Sequence, residues 1–278
     1  MDKNRNAPMK RKPPARHIDP YGKKTTDRET DDENETGFIE GRNAVIEALR
    51  AGVALDKVFI AKGETDSTLR FVASTARAAG AVVVDVDRRK LDAMSLTNAH
   101  QGVIAQAACA KYSTVDDILA AARRKGEAPL IVICDEISDP HNIGAIIRTC
   151  EAAGAHGVII PKRRSAGLTA TVAKASSGAV YHVPIARVAN LTSTINELKK
   201  EGIWVFGASV SGGTPLWESD LTMPAALVIG SEGTGISRLV GENCDLNISI
   251  PMFGKISSLN ASVSAAILMY EAARQRKK

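Results

Sequence analysis

The sequence predicts an α/β protein of two domains, and three observations carry that reading. Its length, 278 residues, is about twice the ~150 residues of a typical domain. Apolar runs of strand length alternate with amphipathic runs of helix length in two series, with a single helix between them. In the second series the strands are almost continuously apolar, as in a parallel sheet covered on both faces.

The elements follow in order. Residues 1–36 hold Pro8, Pro13, Pro14 and Pro20 and no hydrophobic periodicity, with nine basic and eight acidic side chains. Such a segment buries too little apolar area to offset its ordering entropy, so a disordered tail is expected, either a basic arm for RNA phosphates or a solvated extension. Folded pattern starts at Gly37. The run Ala44 to Leu49 reads as a helix, Lys57–Ile60 as a strand, and Ser67 to Ala79 as a helix ended by Gly80. Ala81–Val86 reads as a strand, the stretch around Arg89–Met94 as a short helix and Val103–Gln106 as a strand. This gives a small α/β domain over 37–110. Thr114 to Arg124 is a helix expected within a linker over 111–128.

The second domain, 129–278, opens with the strand Leu130–Cys134. Further strands are expected at Gly157–Ile160, Ala179–Val183, Ile203–Gly207, Ala226–Gly230 and Leu246–Ile250, with helices near 142–153, 169–177, 190–201, 235–242 and 259–275. The arrangement is that of a doubly wound α/β domain.

Composition excludes several classes. No apolar run approaches the ~18–20 residues of a membrane span, and no apolar stretch follows the basic N-terminus, so a cytoplasmic protein is expected. Lys and Arg exceed Asp and Glu by 36 to 31, which points to a polyanionic partner, while 4% aromatic content argues against base stacking on exposed rings. Cys109, Cys134, Cys150 and Cys244 form no CxxC pair, and the five histidines show no HExxH spacing. Reduced thiols and no metal are expected.

Neither domain carries GxGxxG after its opening strand, nor GxxxxGK[ST]. Gly230-Ser231-Glu232-Gly233-Thr234-Gly235 follows a strand directly. Its carboxylate would repel a phosphate and suits a cationic ligand; a tight turn alone would also explain its glycines. Asn142 stands where a helix N-cap is expected. Arg148, six residues on and about 600° round the helix, borders the apolar stripe Ile143, Ile146, Ile147 and Cys150, where an arginine commonly snorkels or pairs with an acid such as Glu151. In the third segment, Ser257 and Ser258 are expected to open the last helix. Leu259, Val263, Ala266, Ile267 and Tyr270 form its apolar face, for core or dimer contact, and free N–H groups at its start could hold a ligand carboxylate or phosphate.

The ordered set DPHNIGAIIRTCEAAG, LVIGSEGTGIS and ISIPMFGKISSLNASVSAA resembles the three motifs of the SpoU/TrmH (SPOUT) family of S-adenosylmethionine-dependent RNA ribose 2'-O-methyltransferases. The resemblance extends over 37–278. The front part, EGRNAVIEALRAG to HQGVIAQ, looks like the family's small substrate-binding domain, related in fold to an RNA-binding ribosomal protein. The segment PKRRSAGLTATVAKASSGAVYHVPIARVANL most resembles the branch that methylates a guanosine in bacterial 23S rRNA.

The resemblance implies a trefoil-knotted C-terminal domain, a feature outside what strand order alone predicts. It implies cofactor contacts from Gly230, Ile250 and Leu259, with Gly233 and Gly235 giving the cofactor room. It matches Asn142, Arg148, Glu232, Ser258 and Asn260 to the family's catalytic set, with Arg148 activating or orienting the 2'-OH. It implies a homodimer paired through the last helices and a substrate in 23S rRNA or a ribosome-assembly intermediate. Candidate RNA contacts are Arg42, Asn43, Lys62, Arg88, Arg89, Arg163 and Arg164. Methylation of tRNA or another rRNA nucleotide is the alternative chemistry, and a non-catalytic RNA-binding assembly factor the alternative class. An NTP site at 230–235 lacks the lysine it would need.

Overall fold

The computed structural model describes residues 37–63, 66–210 and 212–277. The tail expected over 1–36 lies outside the described residues.

The first part of the chain runs β1 (Phe38–Glu40), α1 (Arg42–Arg50), β2 (Leu55–Ala61), α2 (Ser67–Ala78), β3 (Val82–Val86), α3 (Arg88–Met94) and β4 (Val103–Ala107). The sheet order is β1-β4-β2-β3, with β2–β3 parallel and the other pairings antiparallel. Strand alternation sorts the side chains. Leu55, Val58 and Ile60 pack with Val45 of α1 and Leu69, Val72 and Ala76 of α2. On the opposite face Phe59, Ala61, Val86 and Ile104 pack against Leu91 of α3. β1 was not expected as a strand: it is three residues long and is defined only by its ladder to β4.

The second part runs α4 (Val115–Lys125), β5 (Leu130–Cys134), α5 (Pro140–Ala153), β6 (Gly157–Pro161), α6 (Ala170–Ala175), β7 (Ile185–Val188), α7 (Leu191–Lys200), β8 (Trp204–Ser209), β9 (Thr214–Pro215), β10 (Ala225–Ile229), α8 (Arg238–Glu242), β11 (Leu246–Ser249) and α9 (Ala261–Arg276). The strands form a parallel seven-stranded sheet, order β7-β6-β5-β10-β8-β11-β9. β5 shows why its sequence is apolar throughout. Leu130, Val132 and Cys134 face a core shared with α5 and α9, while Ile131 and Ile133 face one shared with α4 and α7.

Other elements can be set against expectation. Ala179–Tyr181 is a 3-10 turn after Gly178, which has φ 84°, and the strand begins only at Ile185, beyond Pro184. α4 is the helix expected over Thr114 to Arg124, with Ile118, Leu119 and Ala122 buried and the first two packed against the large sheet. α5 starts two residues earlier than expected: Asp139, not Asn142, is its N-cap, accepting from the His141 N–H at 2.9 Å. Among the described residues, no helix is long and apolar enough to cross a membrane.

Candidate active site

In a parallel sheet, ligand crevices open beyond the carboxyl ends of the strands. Such a cleft lies past β8, β10 and β11. Ile229, Ile248, Ile250 and Leu259 give it apolar walls, and Gly230, Glu232, Gly235 and Ser258 also line it. Its empty space, counted out into open solvent, is about 580 Å³.

The loop leaving β10 is shaped by its glycines. A Cβ at Gly230 would fall 2.1 Å from the Gly235 carbonyl carbon and 2.2 Å from the Ile236 nitrogen, so only glycine lets the two arms of the loop meet there. Ser231 and Gly235 close the loop through paired backbone bonds of 3.1 and 2.9 Å, with Gly235 at φ +68°. A Cβ at Gly233 would meet nothing within 4 Å.

Three side chains distant in sequence meet at Glu232. Its Oε1 accepts from Asn142 Nδ2 at 3.0 Å and from Asn260 Nδ2, and the Ala261 N–H points to it at 3.4 Å. Asn260 Nδ2 also donates to Asn142 Oδ1 at 2.9 Å. Each residue is placed by a backbone event. Asn142 sits in the first turn of α5, Glu232 at the tip of the loop after β10, and Asn260 is the N-cap of α9. There its Oδ1 accepts from the N–H groups of Ser262 (2.9 Å) and Val263 (3.2 Å). The expected caps Ser257 and Ser258 instead lie in the preceding loop.

Arg148 stands apart. It is exposed on α5, makes no hydrogen bond or ion pair among the described residues and does not line the cleft. Of the two alternatives for Arg148, the pairing with Glu151 is not formed among the described residues. On the last helix the core alternative fails for part of the expected apolar face. Ala261, Ala265, Leu268, Met269 and Ala272 enter the core, whereas Val263 and Tyr270 of the expected stripe are 45% and 53% exposed.

The candidate RNA contacts scatter. Arg42 is bound into the fold, its Nη1 on the Asp66 carboxylate and its Nε on the Gln101 carbonyl at 2.9 Å. Arg164 donates to Glu136 Oε1 at 2.6 Å, and Lys62 lies 3.8 Å from Asp87. Asn43, Arg88, Arg89 and Arg163 are exposed. Sequence reasoning missed Ala208, Ser209 and Val210, which line the cleft from the end of β8. The available signal was their place at the carboxyl end of a strand, not any spacing.

The cysteines are thiols, and none is half-exposed enough to invite ionisation. Burial pushes Cys150 up to about 12 and Cys244 up to about 11, and raises Cys109 and Cys134 as well. Among the described residues no group of His, Cys, Asp and Glu could hold a metal ion.

Comparison with known proteins supplies the family. Residues 129–270 match the SpoU rRNA Methylase family, and residues 38–113 match the family described as RNA 2'-O ribose methyltransferase substrate binding. The chain is 50% identical over 239 residues to YacO of Bacillus subtilis (strain 168), assigned by name to the TrmH family of tRNA/rRNA methyltransferases; the alignment covers 86% of this chain and 96% of that protein. Its fold is similar to the crystal structure of the SpoU methyltransferase AviRb from Streptomyces viridochromogenes in complex with AdoMet (27% identity, TM-score 0.56, covering 86% of this chain and 90% of that one). It is also similar to the AdoMet-bound rRNA methyltransferase from Sinorhizobium meliloti (26% identity, TM-score 0.53, covering 87% and 88%). The chain therefore belongs to the SpoU/TrmH family and is an S-adenosylmethionine-dependent RNA 2'-O-methyltransferase with an N-terminal substrate-binding domain and a C-terminal catalytic domain.

Proposed function

We propose that the enzyme methylates the ribose 2'-OH of a guanosine in 23S rRNA, as a cytoplasmic homodimer. In this reading 37–110 selects the RNA, 111–128 joins the domains, and 129–278 is the knotted catalytic domain. The observation that carries the site assignment is the meeting of Asn142, Glu232 and Asn260, one from each motif, at the cleft. Two further points favour rRNA. The 161–191 segment resembles the 23S branch. In addition, the A. aeolicus TrmH/SpoU tRNA modifying enzyme (34% identity, TM-score 0.50) matches only 54% of this chain and 77% of its own, against 87% of this chain for the S. meliloti rRNA enzyme.

The cleft suits S-adenosylmethionine by its donor set. Gly230, Ile250 and Leu259 offer backbone groups and apolar walls, Gly233 and Gly235 leave room, and the Glu232 carboxylate favours a cationic ligand. When bound, the cofactor supplies an electrophilic methyl group on a sulfonium centre. The chain supplies binding, orientation and electrostatics. Asn142 and Asn260 hold Glu232 in one position, and Ser258 fixes the loop ahead of α9. Arg148, exposed on α5 outside the cofactor cleft, is assigned to the docked RNA, orienting the ribose hydroxyl and a neighbouring phosphate. Its guanidinium carries N–H donors and no acceptor, so it orients the hydroxyl and does not take its proton.

The test is a map of 2'-O-methyl positions in rRNA from a strain lacking the gene. One guanosine of 23S rRNA should lose its methyl group, regain it with the wild-type gene, and fail to regain it with Arg148→Ala. That variant should still bind S-adenosylmethionine in calorimetry. A fully methylated 23S rRNA in the deletion strain would overturn the assignment.

A further inference from the structure

A second, larger groove runs between the small sheet and the loop that follows β6, with about 1,380 Å³ of empty space. One wall is a bare patch of sheet. Lys57 is in register with Gln106 on one side and Val82 on the other, so these three side chains form a row on one face. The neighbouring row, Ile104, Phe59 and Val84, begins the part that Leu91 of α3 covers. The helix stops short of the Gln106–Lys57–Val82 row, which faces the groove.

The opposite wall is Lys162 to Thr169, with Ser138 and Pro140 from the entry to α5. This wall is pinned to the segment just ahead of the first motif: the Ala166 N–H donates to the Ile137 carbonyl at 3.0 Å, and Arg164 pairs with Glu136. Its far end lies against the small sheet, where a Cβ on Gly167 would come within 2.1 Å of the Asp56 carboxylate oxygens. The groove is thus a fixed passage from the open sheet face to Pro140, two residues before Asn142.

Its charge is one-sided. Among the described residues Lys57, Lys162, Arg163 and Arg164 line it against one acid, Asp85. Arg164 is held by Glu136, but Lys57, Lys162 and Arg163 make no ion pair among the described residues. Among the described residues no aromatic ring lines it, so affinity must come from phosphate contacts, which are salt-dependent and tolerant of sequence. The Gln106 amide and the methyl groups of Val82 and Val84 offer a surface to the edge and face of an unpaired base. A duplex hides those edges.

We propose that this groove binds a single-stranded segment of the RNA substrate and leads it to the methylation site. Lys57, Lys162 and Arg163 take consecutive phosphates, and Gln106 contacts a base edge. The identity of the polyanion rests on the RNA methyltransferase reading above.

The test uses the full chain and a fluorescein-labelled, mixed-sequence single-stranded RNA 20-mer, followed by anisotropy over a range of salt. Each single-strand phosphate contact contributes about 0.7 to the log–log salt slope. The triple variant Lys57→Ala/Lys162→Ala/Arg163→Ala should therefore lower that slope by about 2 and weaken binding at least ~10-fold at low salt, with S-adenosylmethionine binding and melting temperature retained. Lys57→Arg/Lys162→Arg should keep the wild-type slope. A triple variant that binds RNA with wild-type slope and affinity overturns the proposal. So does equal competition by a blunt RNA duplex of the same length, or by poly-glutamate. If wild-type protein binds the 20-mer as expected yet fails to bind S-adenosylmethionine, the groove stands and the methyl-transfer reading falls.

Discussion

Arg187, on the edge strand β7 of the large sheet, donates to Asp56 on β2 of the small one, and the two side chains are only 6% and 2% exposed. The contact is more than an ion pair. Arg187 also donates to the Gly80 carbonyl at 2.7 Å and lies 4.0 Å above the Tyr112 ring, while the Tyr112 hydroxyl donates to Asp56 Oδ1 at 2.8 Å and accepts from the Leu168 N–H at 3.0 Å. Burial, with the Asp56 charge beside it, holds the Tyr112 phenol well above its ordinary range, so it remains a donor. Both sheets and the segment between them thus share one desolvated knot of polar groups.

Removing one member of such a pair strands the other charge, at a cost of about 3–5 kcal/mol. Arg187→Ala should lose stability of that order in urea unfolding. Arg187→Ala/Asp56→Ala should recover part of it, because no unpaired charge is left behind. A double variant no more stable than the single would show that the pair is not the source of the loss.

Gly230 makes a separate prediction, about the cofactor cleft. Alanine there drives a methyl group into the backbone of Gly235 and Ile236, atoms that cannot swing aside as a flexible side chain can. Overpacking of this kind costs about 1–3 kcal/mol. Gly230→Ala should lower the melting temperature and weaken S-adenosylmethionine binding at least ~10-fold in calorimetry. Gly233→Ala, with open space around it, should melt as wild type does; equal melting losses at the two positions would refute the role given to the close approach.

The contrast between these two glycines illustrates what the sequence could carry. The strand–loop–helix order around 230–235 was legible, because five apolar residues ending in glycine have few alternatives. Which glycine is obligatory was not, since that depends on where Ile236 returns. The same holds for the meeting at Glu232. Asn142 and Asn260 lie 90 residues before and 28 residues after it, and Asn142 looked like a cap because capping chemistry is local. Nothing in the sequence singles out Asp56, one residue before the expected strand; only the position of β7 makes it a buried anchor. In Ala179–Val183 β-branched and aromatic residues suggested a strand, yet Gly178 turns the chain and pairing resumes only past Pro184, whose carbonyl accepts from the Val158 N–H at 3.0 Å.

The outer face of α9 gives a third prediction. A helix apolar on both sides needs a second surface to cover it, and here Val263 and Tyr270 point outward. In the homodimer reading, Tyr270→Glu places a charge at the contact. Wild-type protein should elute with twice the chain mass in light scattering, and the variant should shift toward the monomer. A monomeric wild type would remove the homodimer from the proposal.

Glu40 supplies the pH dependence. Burial acts to raise its pKa, but the Ser95 and Thr97 hydroxyls and the Leu96 and Thr97 N–H groups all donate to the carboxylate, and they bring it down to about 2 from an ordinary 4.5. The folded state therefore prefers the ionised form more strongly than the unfolded chain does. A depressed carboxyl pKa stabilises the fold above the unfolded value, and that contribution drains away as pH falls toward the folded one. The difference in melting temperature between wild type and Glu40→Gln should accordingly be flat above about pH 5, shrink between pH 4.5 and 2, and vanish near pH 2. A difference that stays constant through this window would mean that the loop at 95–97 is held by shape alone, not by the charge on Glu40.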